Sequence, residues 1–345
     1  MKLSHRTISC RAKRTFKISQ SASDSFGMVV CELRHGEHVG YGEASPSKRV
    51  TGETAESVGN LLDQLAPQVE RLAPAAWESF LDRLHAEHSA SPSARAALDL
   101  ALHDLVGKIQ EVPARALYGI PPARLETCMT VSLDAPDVMV AEAKGYHEAG
   151  FRVLKLKLGK ADGDVARVEA IRAALPDAAL RADANTGWSP AEARRVVPVL
   201  AKAGVEFVEQ PFLPSADDEL AAFSRESPLP LYADESVMDA RDVERLHALG
   251  FRGGVNLKLQ KTGGIRPAVA ALRKARAKGY QVQLGCNVET AIGIAGGVQL
   301  LGALDHADLD GHLLLADQPF LGPMPDRGWY TTPDAPGLGV APAPG

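Results

Sequence analysis

A short β-rich run followed by an Ala-rich helical segment recurs about every 25 residues over residues 123–320, and no other feature constrains the fold as strongly. The eight runs read TCMTVSL, FRVLKLKLG, AALRADAN, VEFVEQP, PLYADES, GGVNLKLQ, YQVQLGCN and HADLDGH. Each unit predicts one strand and one helix that packs beside it. Eight such strands closed on themselves form a TIM-like barrel, so we predict an α/β catalytic barrel over residues 123–320.

The amino-terminal part of the chain has a different pattern. Residues 1–45 alternate apolar and polar side chains, as in MVVCELRHGEHVGYGEA, and Gly36 marks a hairpin turn between antiparallel strands. Residues 53–110 change to helical spacing, with one apolar face formed by Ala94, Ala97, Leu98, Ala101, Leu102 and Leu105. We predict an α+β domain over residues 1–122 and a Pro- and Gly-rich segment, residues 321–345, that packs back on it.

Composition excludes several classes of partner. A net charge of -5 provides no basic surface for phosphates, so nucleic acid is not expected as a partner. The start of the chain lacks the apolar segment of a secretory signal, and the apolar stretch 291–304 is shorter than the ~18–20 residues that span a bilayer. The four cysteines are scattered and form no CxxC pair. We therefore expect a cytoplasmic protein without a membrane partner.

Charged residues stand at the carboxyl ends of most of the predicted barrel strands. They are Lys155 and Lys157, Asp183, Glu209, Asp234, Lys258, and Asp308 with Asp310. A solvated ion pair at the rim is an alternative for any single member. It does not explain why the set recurs at one position of a repeating unit, and active sites of such barrels lie at this face.

Three of these residues predict a metal site. Asp183, Glu209 and Asp234 come from adjacent strands and offer hard oxygen ligands, which suit Mg²⁺. Zinc would be expected to recruit His or Cys instead. His85 and His88 lie three residues apart on a helix, but we interpret them as part of an exposed face. We predict one Mg²⁺ per subunit.

Two lysines predict the type of reaction. Lys157 and Lys258 belong to the second and sixth strands, roughly across the barrel from each other, so they can reach one carbon from opposite faces. A proton next to a carboxylate is very weakly acidic, and Mg²⁺ stabilises the enediolate formed when it leaves. Lys155 shares a strand face with Lys157 and is interpreted as its electrostatic helper and as a contact to the substrate carboxylate. The arrangement favours an epimerase or racemase.

With these motifs the chain resembles the enolase superfamily, in its muconate-lactonizing subgroup. The matching residues are Gly42-Glu43-Ala44, Lys155-Leu-Lys157, Asp183-Ala-Asn185-Thr-Gly-Trp188, Glu209-Gln-Pro211, Asp234-Glu-Ser236, Asn256-Leu-Lys258 and Gly263-Gly264. The resemblance implies a modified TIM barrel of the (β/α)7β type with an N-terminal α+β capping domain. Sites of this superfamily are known to combine Lys or His bases with Mg²⁺. It also implies supporting roles for Asn185 and Glu235, and we expect a homo-oligomer.

The resemblance extends to the substrate. Asp308-Leu-Asp310 is similar to the Asp-x-Asp element with which dipeptide epimerases bind the amino terminus of the substrate, and two carboxylates would attract an ammonium group. The alternative is that both aspartates cap the following helix. By resemblance, Thr130 and Asn287 line the same pocket. The implied activity is Mg²⁺-dependent epimerisation of the α-carbon next to the dipeptide carboxylate.

One departure from the family pattern concerns specificity. Relatives that act on Ala-Glu dipeptides are expected to carry an Arg in the capping loop after the first strand, whereas residues 17–24 read KISQSASD. Lys17 or Lys48 could replace it as a point charge. Asp24 could instead bind a cationic side chain, with a solvated loop position as the alternative. We expect a specificity other than Ala-Glu.

Three other functions fit the same scaffold. An o-succinylbenzoate synthase or N-acylamino acid racemase would use the same metal and lysines but not Asp308 and Asp310. A lactonizing cycloisomerase would act on muconate. A non-catalytic barrel would only bind a metal and a carboxylate ligand, and the two lysines argue against it.

Overall fold

The computed structural model describes residues 1–344. Its amino-terminal elements, which we call the cap, are a three-stranded antiparallel sheet and three helices. They are β1 (Lys2–Ile18), β2 (Ser21–His35), β3 (His38–Ala44), α1 (Ala55–Glu70), α2 (Trp77–Glu87) and α3 (Pro92–Ile109). A short strand, β4 (Arg124–Glu126), leads into the barrel.

The barrel consists of eight parallel strands in sequential order. They are β5 (Met129–Val131), β6 (Val153–Lys157), β7 (Ala179–Asp183), β8 (Val205–Glu209), β9 (Leu231–Ala233), β10 (Gly253–Lys258), β11 (Gln281–Gly285) and β12 (His306–Asp308). Its helices are α4 (Pro136–Glu148), α5 (Ala161–Ala174), α6 (Pro190–Lys202), α7 (Asp217–Ser224), α8 (Ala240–Ala248), α9 (Leu259–Thr262), α10 (Ile265–Ala277) and α11 (Ala291–Val298). A parallel bridge between Thr127, two residues before β5, and Ala307 of β12 links the start of the barrel to its last strand.

The last barrel strand is followed by a 3-10 helix, Gly311–Leu314, where an eighth barrel helix would stand. The predicted (β/α)7β barrel with an antiparallel capping domain is therefore confirmed. No helix among residues 1–344 combines the length and the apolar character needed to cross a bilayer.

Strand register brings the charged strand ends to one level. Lys157 is paired with Asp183, and Asp183 with Glu209, across β6, β7 and β8. Because side chains alternate between the two faces of a strand, Lys155 and Lys157 point into the barrel while the intervening leucines pack against the helices. A local alternation in sequence thus becomes a ring of charges at the carboxyl ends of the strands.

Helix α3 connects the cap to the barrel. Nearly all of its side chains are buried, as expected for a helix enclosed on all sides. It lies so close to β3 that a Cβ atom on Gly42 would come within 1.9 Å of the carbonyl oxygen of Ala97. This contact explains the glycine of the Gly-Glu-Ala motif.

Two carboxylates of the cap bind the amino-terminal ends of barrel helices. Asp99 in α3 accepts hydrogen bonds from the backbone N–H groups of Ile265 at 2.6 Å and Arg266 at 3.3 Å, at the start of α10. Glu43 accepts from the N–H of Thr290 at 2.8 Å, at the start of α11. The amino-terminal end of a helix has backbone N–H groups without a partner in the helix and a partial positive charge. Both acids therefore fix the cap on the barrel.

We expect Asp99→Ala to lower the free energy of unfolding by about 2–4 kcal/mol, because it removes a helix cap and leaves buried donors unpaired. Urea unfolding measures the change. Asp82→Ala is the matched control: Asp82 is also a cap residue bonded to Arg266, but its side chain is 62% exposed. We expect a loss below about 1 kcal/mol for the control. Equal losses for the two variants would contradict the capping role.

The carboxyl-terminal segment contacts both parts of the molecule. Its strands are β13 (Phe320–Leu321), β14 (Trp329–Thr331) and β15 (Ala341–Pro342), and β14 pairs with β4. Phe320 packs edge-on against Tyr41 of β3, with ring centroids 5.3 Å apart. The N–H of Leu338 donates to Asp104 of α3 at 2.8 Å. The domain boundaries at residues 122 and 320 remain a prediction.

Candidate active site

A cavity of about 550 Å³ lies between the carboxyl ends of the barrel strands and the cap. Its barrel side includes eight of the predicted site residues: Thr130, Lys155, Lys157, Asn185, Lys258, Asn287, Asp308 and Asp310. Its cap side is formed by the β1–β2 hairpin and by the loop after β3. The structure thus brings together side chains from both ends of the chain.

Lys155 is the most heavily paired cation of the site. Its ammonium group lies 2.7 Å from Asp308, 3.0 Å from Glu209 and 3.1 Å from Asp183. Burial alone would lower the pKa of Lys155, but these three carboxylates outweigh it and raise the pKa well above its usual value. Lys155 is therefore a fixed positive charge.

The two proposed bases each contact a different carboxylate. Lys157 donates to Asp183 at 2.7 Å, and Lys258 lies 2.9 Å from Asp234. Burial opposes the charged form of Lys258, but Asp234 reverses the effect and raises its pKa. Asp234 therefore stabilises the ammonium form of Lys258 in this arrangement.

The three predicted metal ligands, Asp183, Glu209 and Asp234, are fully buried behind these lysines. Glu209 also accepts from the amide groups of Asn256 at 2.9 Å and Gln283 at 2.8 Å. Burial, and after it the negative charge of Asp183, raise the pKa of Glu209 to about 8. The contact with Lys155 therefore does not fully compensate the negative charge around the carboxylate of Glu209.

As the side chains stand, no three His, Cys, Asp or Glu groups within residues 1–344 are close enough together to hold a metal ion. Each of the three carboxylates instead accepts from a lysine ammonium. The chemistry of the donors still fits Mg²⁺, since all are hard oxygens at adjacent strand ends. Buried oxygens of Asn185, Glu235 and Asn256 also have no hydrogen-bond partner, which fits a site that receives a further cation.

Asn185 and Glu235, the predicted supporting residues, lie beside this group. The side-chain amide of Asn185 donates to Glu235 at 3.4 Å, and its backbone N–H donates to Asp183 at 2.9 Å. Asn185 has a φ of 42°, in the left-handed region that Asn tolerates better than most residues. The strand end therefore turns sharply where it reaches the site.

Asp308 and Asp310 occupy another side of the cavity. Asp310 accepts from the backbone N–H of Thr130 at 2.6 Å, and burial together with the charge of Asp308 raises the pKa of Asp310 to about 6. The alternative that these acids cap the following helix is wrong, because the 3-10 helix at Gly311 has no side-chain cap. Asp308 is already paired with Lys155, so Asp310 is the acid that a further cationic group would stabilise.

Two site residues were not found from the sequence. Lys261, fully buried, donates to the carboxylate and the backbone carbonyl of Asp234, both at 2.5 Å. Burial lowers the pKa of Lys261 although Asp234 opposes the shift. The spacing Lys258-x-x-Lys261 at a strand end was the available signal. Arg49 comes from the loop after β3, lines the cavity and lies 3.0 Å from Glu235.

The three cap residues predicted to affect specificity, Lys17, Lys48 and Asp24, do not line the active-site cavity. Lys17 is paired with Asp134 at 2.6 Å, and Lys48 is exposed and does not line the cavity. Asp24 lies in β2, is exposed, and accepts from the hydroxyl of Thr15 at 2.5 Å. It is not part of the cavity lining either, so its predicted contact with the substrate gains no support.

Two protein-family models match the chain. The model described as mandelate racemase / muconate lactonizing enzyme, N-terminal domain, matches residues 4–119, and the model described as enolase C-terminal domain-like matches residues 138–344. The L-Ala-D/L-Glu epimerase of Bacteroides thetaiotaomicron is 35% identical over 344 residues, which cover 99% of this chain and 88% of that protein. The hydrophobic dipeptide epimerase of Roseobacter litoralis is 34% identical and covers 98% of both chains.

A solved structure matches equally well. The dipeptide epimerase of Enterococcus faecalis, complexed with Mg and the dipeptide L-Leu-L-Tyr, has a TM-score of 0.94 and 31% identity, with 99% of each chain covered. The similarity therefore includes the cap, the barrel and the carboxyl-terminal segment together.

Proposed function

Because this chain belongs to the mandelate racemase and muconate lactonizing enzyme family of the enolase superfamily, we propose that it is a Mg²⁺-dependent dipeptide epimerase. The resemblance drawn from its motifs is confirmed, as is the enzyme class, an isomerase acting on amino acids and their derivatives. One observation carries the proposal. Lys157 and Lys258 line one cavity from different strands, and Asp308 and Asp310 line the same cavity.

The two lysines exchange a proton with the α-carbon next to the substrate carboxylate. In one direction the amine of Lys157 takes the proton from one face, and the ammonium of Lys258 delivers another proton from the opposite face. The lone pair left on the carbon forms the new C–H bond, so the centre is inverted. In the reverse direction the lysines exchange roles.

Asp183, Glu209 and Asp234 are the residues that would hold the Mg²⁺. When bound, it supplies positive charge to the oxygens of the substrate carboxylate, which stabilises the enediolate charge that develops on proton removal. Lys155 adds a fixed positive charge beside the same group. Elements of the cap line one side of the cavity, and shielding from water would strengthen each of these interactions.

Asp308 and Asp310 bind the amino terminus of the dipeptide. Both are buried. Asp308 already contacts Lys155 at 2.7 Å, whereas burial and the charge of Asp308 raise the pKa of Asp310, so Asp310 is the acid that a further cation would stabilise. An ammonium group placed here forms charge-assisted hydrogen bonds and fixes the distance between the substrate amino end and the lysines.

A specificity other than Ala-Glu remains our proposal. Arg49 lines the cavity and is paired with Glu235, and Lys17 of the predicted capping loop is paired with Asp134. A Glu side chain would have to replace one of these carboxylates. Phe16 and Ile18 line the cap side of the cavity, which favours apolar substrate side chains.

A library of L,L-dipeptides incubated with the enzyme and Mg²⁺ in deuterated water tests the activity. We expect a gain of one dalton at the α-carbon next to the carboxylate, read by mass spectrometry, and strongest for apolar dipeptides. If no dipeptide gains deuterium, the proposed epimerase activity is wrong.

We expect the double substitution of Asp308 and Asp310 by Asn to lower kcat/KM for dipeptides by about 10²-fold or more, because hydrogen bonds to charged groups contribute ~1.5–3 kcal/mol each. N-acylated amino acids, which lack the ammonium group, serve as the control substrates. A variant that loses turnover of dipeptides but keeps any turnover of N-acylated amino acids fits the proposal. If wild type turns over N-acylated amino acids and both substrate classes are unaffected by the double change, the enzyme is an N-acylamino acid racemase.

A cytoplasmic location and homo-oligomeric assembly remain proposals. All four cysteines are free thiols, which suits a reducing compartment. Sedimentation measures the oligomeric state directly.

A further inference from the structure

A second cavity, of about 480 Å³, lies beside the active-site cavity. It is enclosed by β1 of the cap, by α4 of the barrel and by the carboxyl-terminal segment. Met129, Phe151 and Leu313 give it an apolar lining. Its buried acid, Glu142, already accepts a hydrogen bond from the hydroxyl of Tyr146 at 2.8 Å. Lys13 and Arg14 of β1 also line this cavity and are both exposed, so its apolar lining, and not the whole cavity, suits an apolar group.

Two side chains line both cavities and separate them. They are Phe16 of β1 and Leu314 at the end of the 3-10 helix that follows β12. Phe16 lies where the pairing of β1 with β2 resumes after an irregular stretch, and its ring packs edge-on against Phe26 with centroids 6.4 Å apart. Both side chains are partly buried and pack against a small apolar cluster. We call this pair the partition.

The partition stands next to the position proposed for the substrate amino end. Asp310 contributes to that position and is the N-cap residue of the 3-10 helix Gly311–Leu314, which ends at Leu314. The side chain of the amino-terminal residue branches from the carbon that carries the ammonium group, so it starts beside Asp310. Leu314 and Phe16 line the same cavity as Asp310, on the side of the second cavity.

We infer that Phe16 and Leu314 set the largest side chain accepted at the amino-terminal residue of the dipeptide, and that the second cavity is an apolar subsite closed off by them. This inference rests on the proposed function. Removing either side chain joins the two cavities and lets an aromatic side chain enter the apolar lining. Burial of such a group against apolar side chains favours binding.

The test compares L-Trp-L-Ala with L-Ala-L-Ala, because the two dipeptides share the residue that is inverted. We expect Phe16→Ala to raise the ratio of kcat/KM for the Trp dipeptide to that for the Ala dipeptide by about 10-fold or more, a range typical of pocket-size discrimination. Leu314→Ala approaches the partition from the other side and should change the ratio in the same direction. Deuterium incorporation at the carboxyl-terminal α-carbon is the readout.

Leu313→Ala is the matched control, since Leu313 lines the second cavity and does not line the active-site cavity. It enlarges the subsite without opening it, so the ratio should stay within about twofold of wild type. An unchanged ratio in both Phe16→Ala and Leu314→Ala, with wild type active on L-Ala-L-Ala, overturns the inference alone. If wild type exchanges no dipeptide, the proposed function itself fails. Should one partition variant fail to fold, the other decides the question.

Discussion

Lys157→Met and Lys258→Met should each lower the rate of epimerisation by about 10²–10⁴-fold, the usual contribution of a positioned acid or base. Inversion needs both lysines, because one takes a proton from one face and the other delivers a proton to the opposite face. Exchange of the α-proton with solvent needs only one of them. Each variant should therefore still exchange deuterium into the stereoisomer whose α-proton faces the remaining lysine, and lose exchange for the other.

Proton NMR of each stereoisomer in deuterated water measures this difference. Lys160→Met is the control, because Lys160 lies three residues after Lys157 and is exposed. It should epimerise and exchange like wild type. If either single variant lost exchange for both stereoisomers while remaining folded, the two-base arrangement would be refuted. Complementary loss in the two variants assigns each lysine to one face.

Removal of Mg²⁺ should abolish turnover, with a loss of about 10³-fold or more, since the charge that a metal supplies in the transition state is worth several kcal/mol. Activity after chelation should return on addition of Mg²⁺. Mg²⁺ should also raise the melting temperature, because a ligand present at 100 times its dissociation constant stabilises the folded state by about 2.7 kcal/mol. This second readout does not depend on the substrate.

Glu209→Gln tests the metal site without disturbing the lysines. Lys155 keeps two other partners, Asp308 at 2.7 Å and Asp183 at 3.1 Å, so the loss of one carboxylate leaves no unpaired lysine. We expect weaker Mg²⁺ binding in calorimetry and little thermal shift. Glu206→Gln on the same strand is the control, since Glu206 is 43% exposed and pairs with Arg181. Normal Mg²⁺ binding by Glu209→Gln would contradict its role as a ligand.

The prediction of the barrel from sequence succeeded because its signals are local. The positions of the charged strand ends depend on the alternation of side chains within five or six residues, as in Val153–Lys157. Parallel strands in a repeating unit then bring these ends to the same face. The identity of the family could be reached from the same short motifs.

The contacts of the cap could not be predicted in this way. For Asp24 the sequence left two alternatives open, a contact with a cationic substrate side chain and a solvated position, and the structure shows it exposed and bonded to Thr15. Arg49 reaches the cavity and pairs with Glu235, which lies 186 residues away in the chain. Such pairings depend on how two separate parts of the molecule pack, and no periodicity in the sequence records that.

The ring of charged strand ends also has a part that the sequence predicts and a part that it does not. The sequence by itself determined which lysines and carboxylates share the inner face of the barrel, because the direction of a side chain follows from its parity along a strand. Only the tertiary structure decided that Lys155 contacts three carboxylates, that Lys261 fixes Asp234, and that Phe16 and Leu314 separate two cavities. These features arise from distances between strands, helices and cap, which close packing sets and local sequence does not.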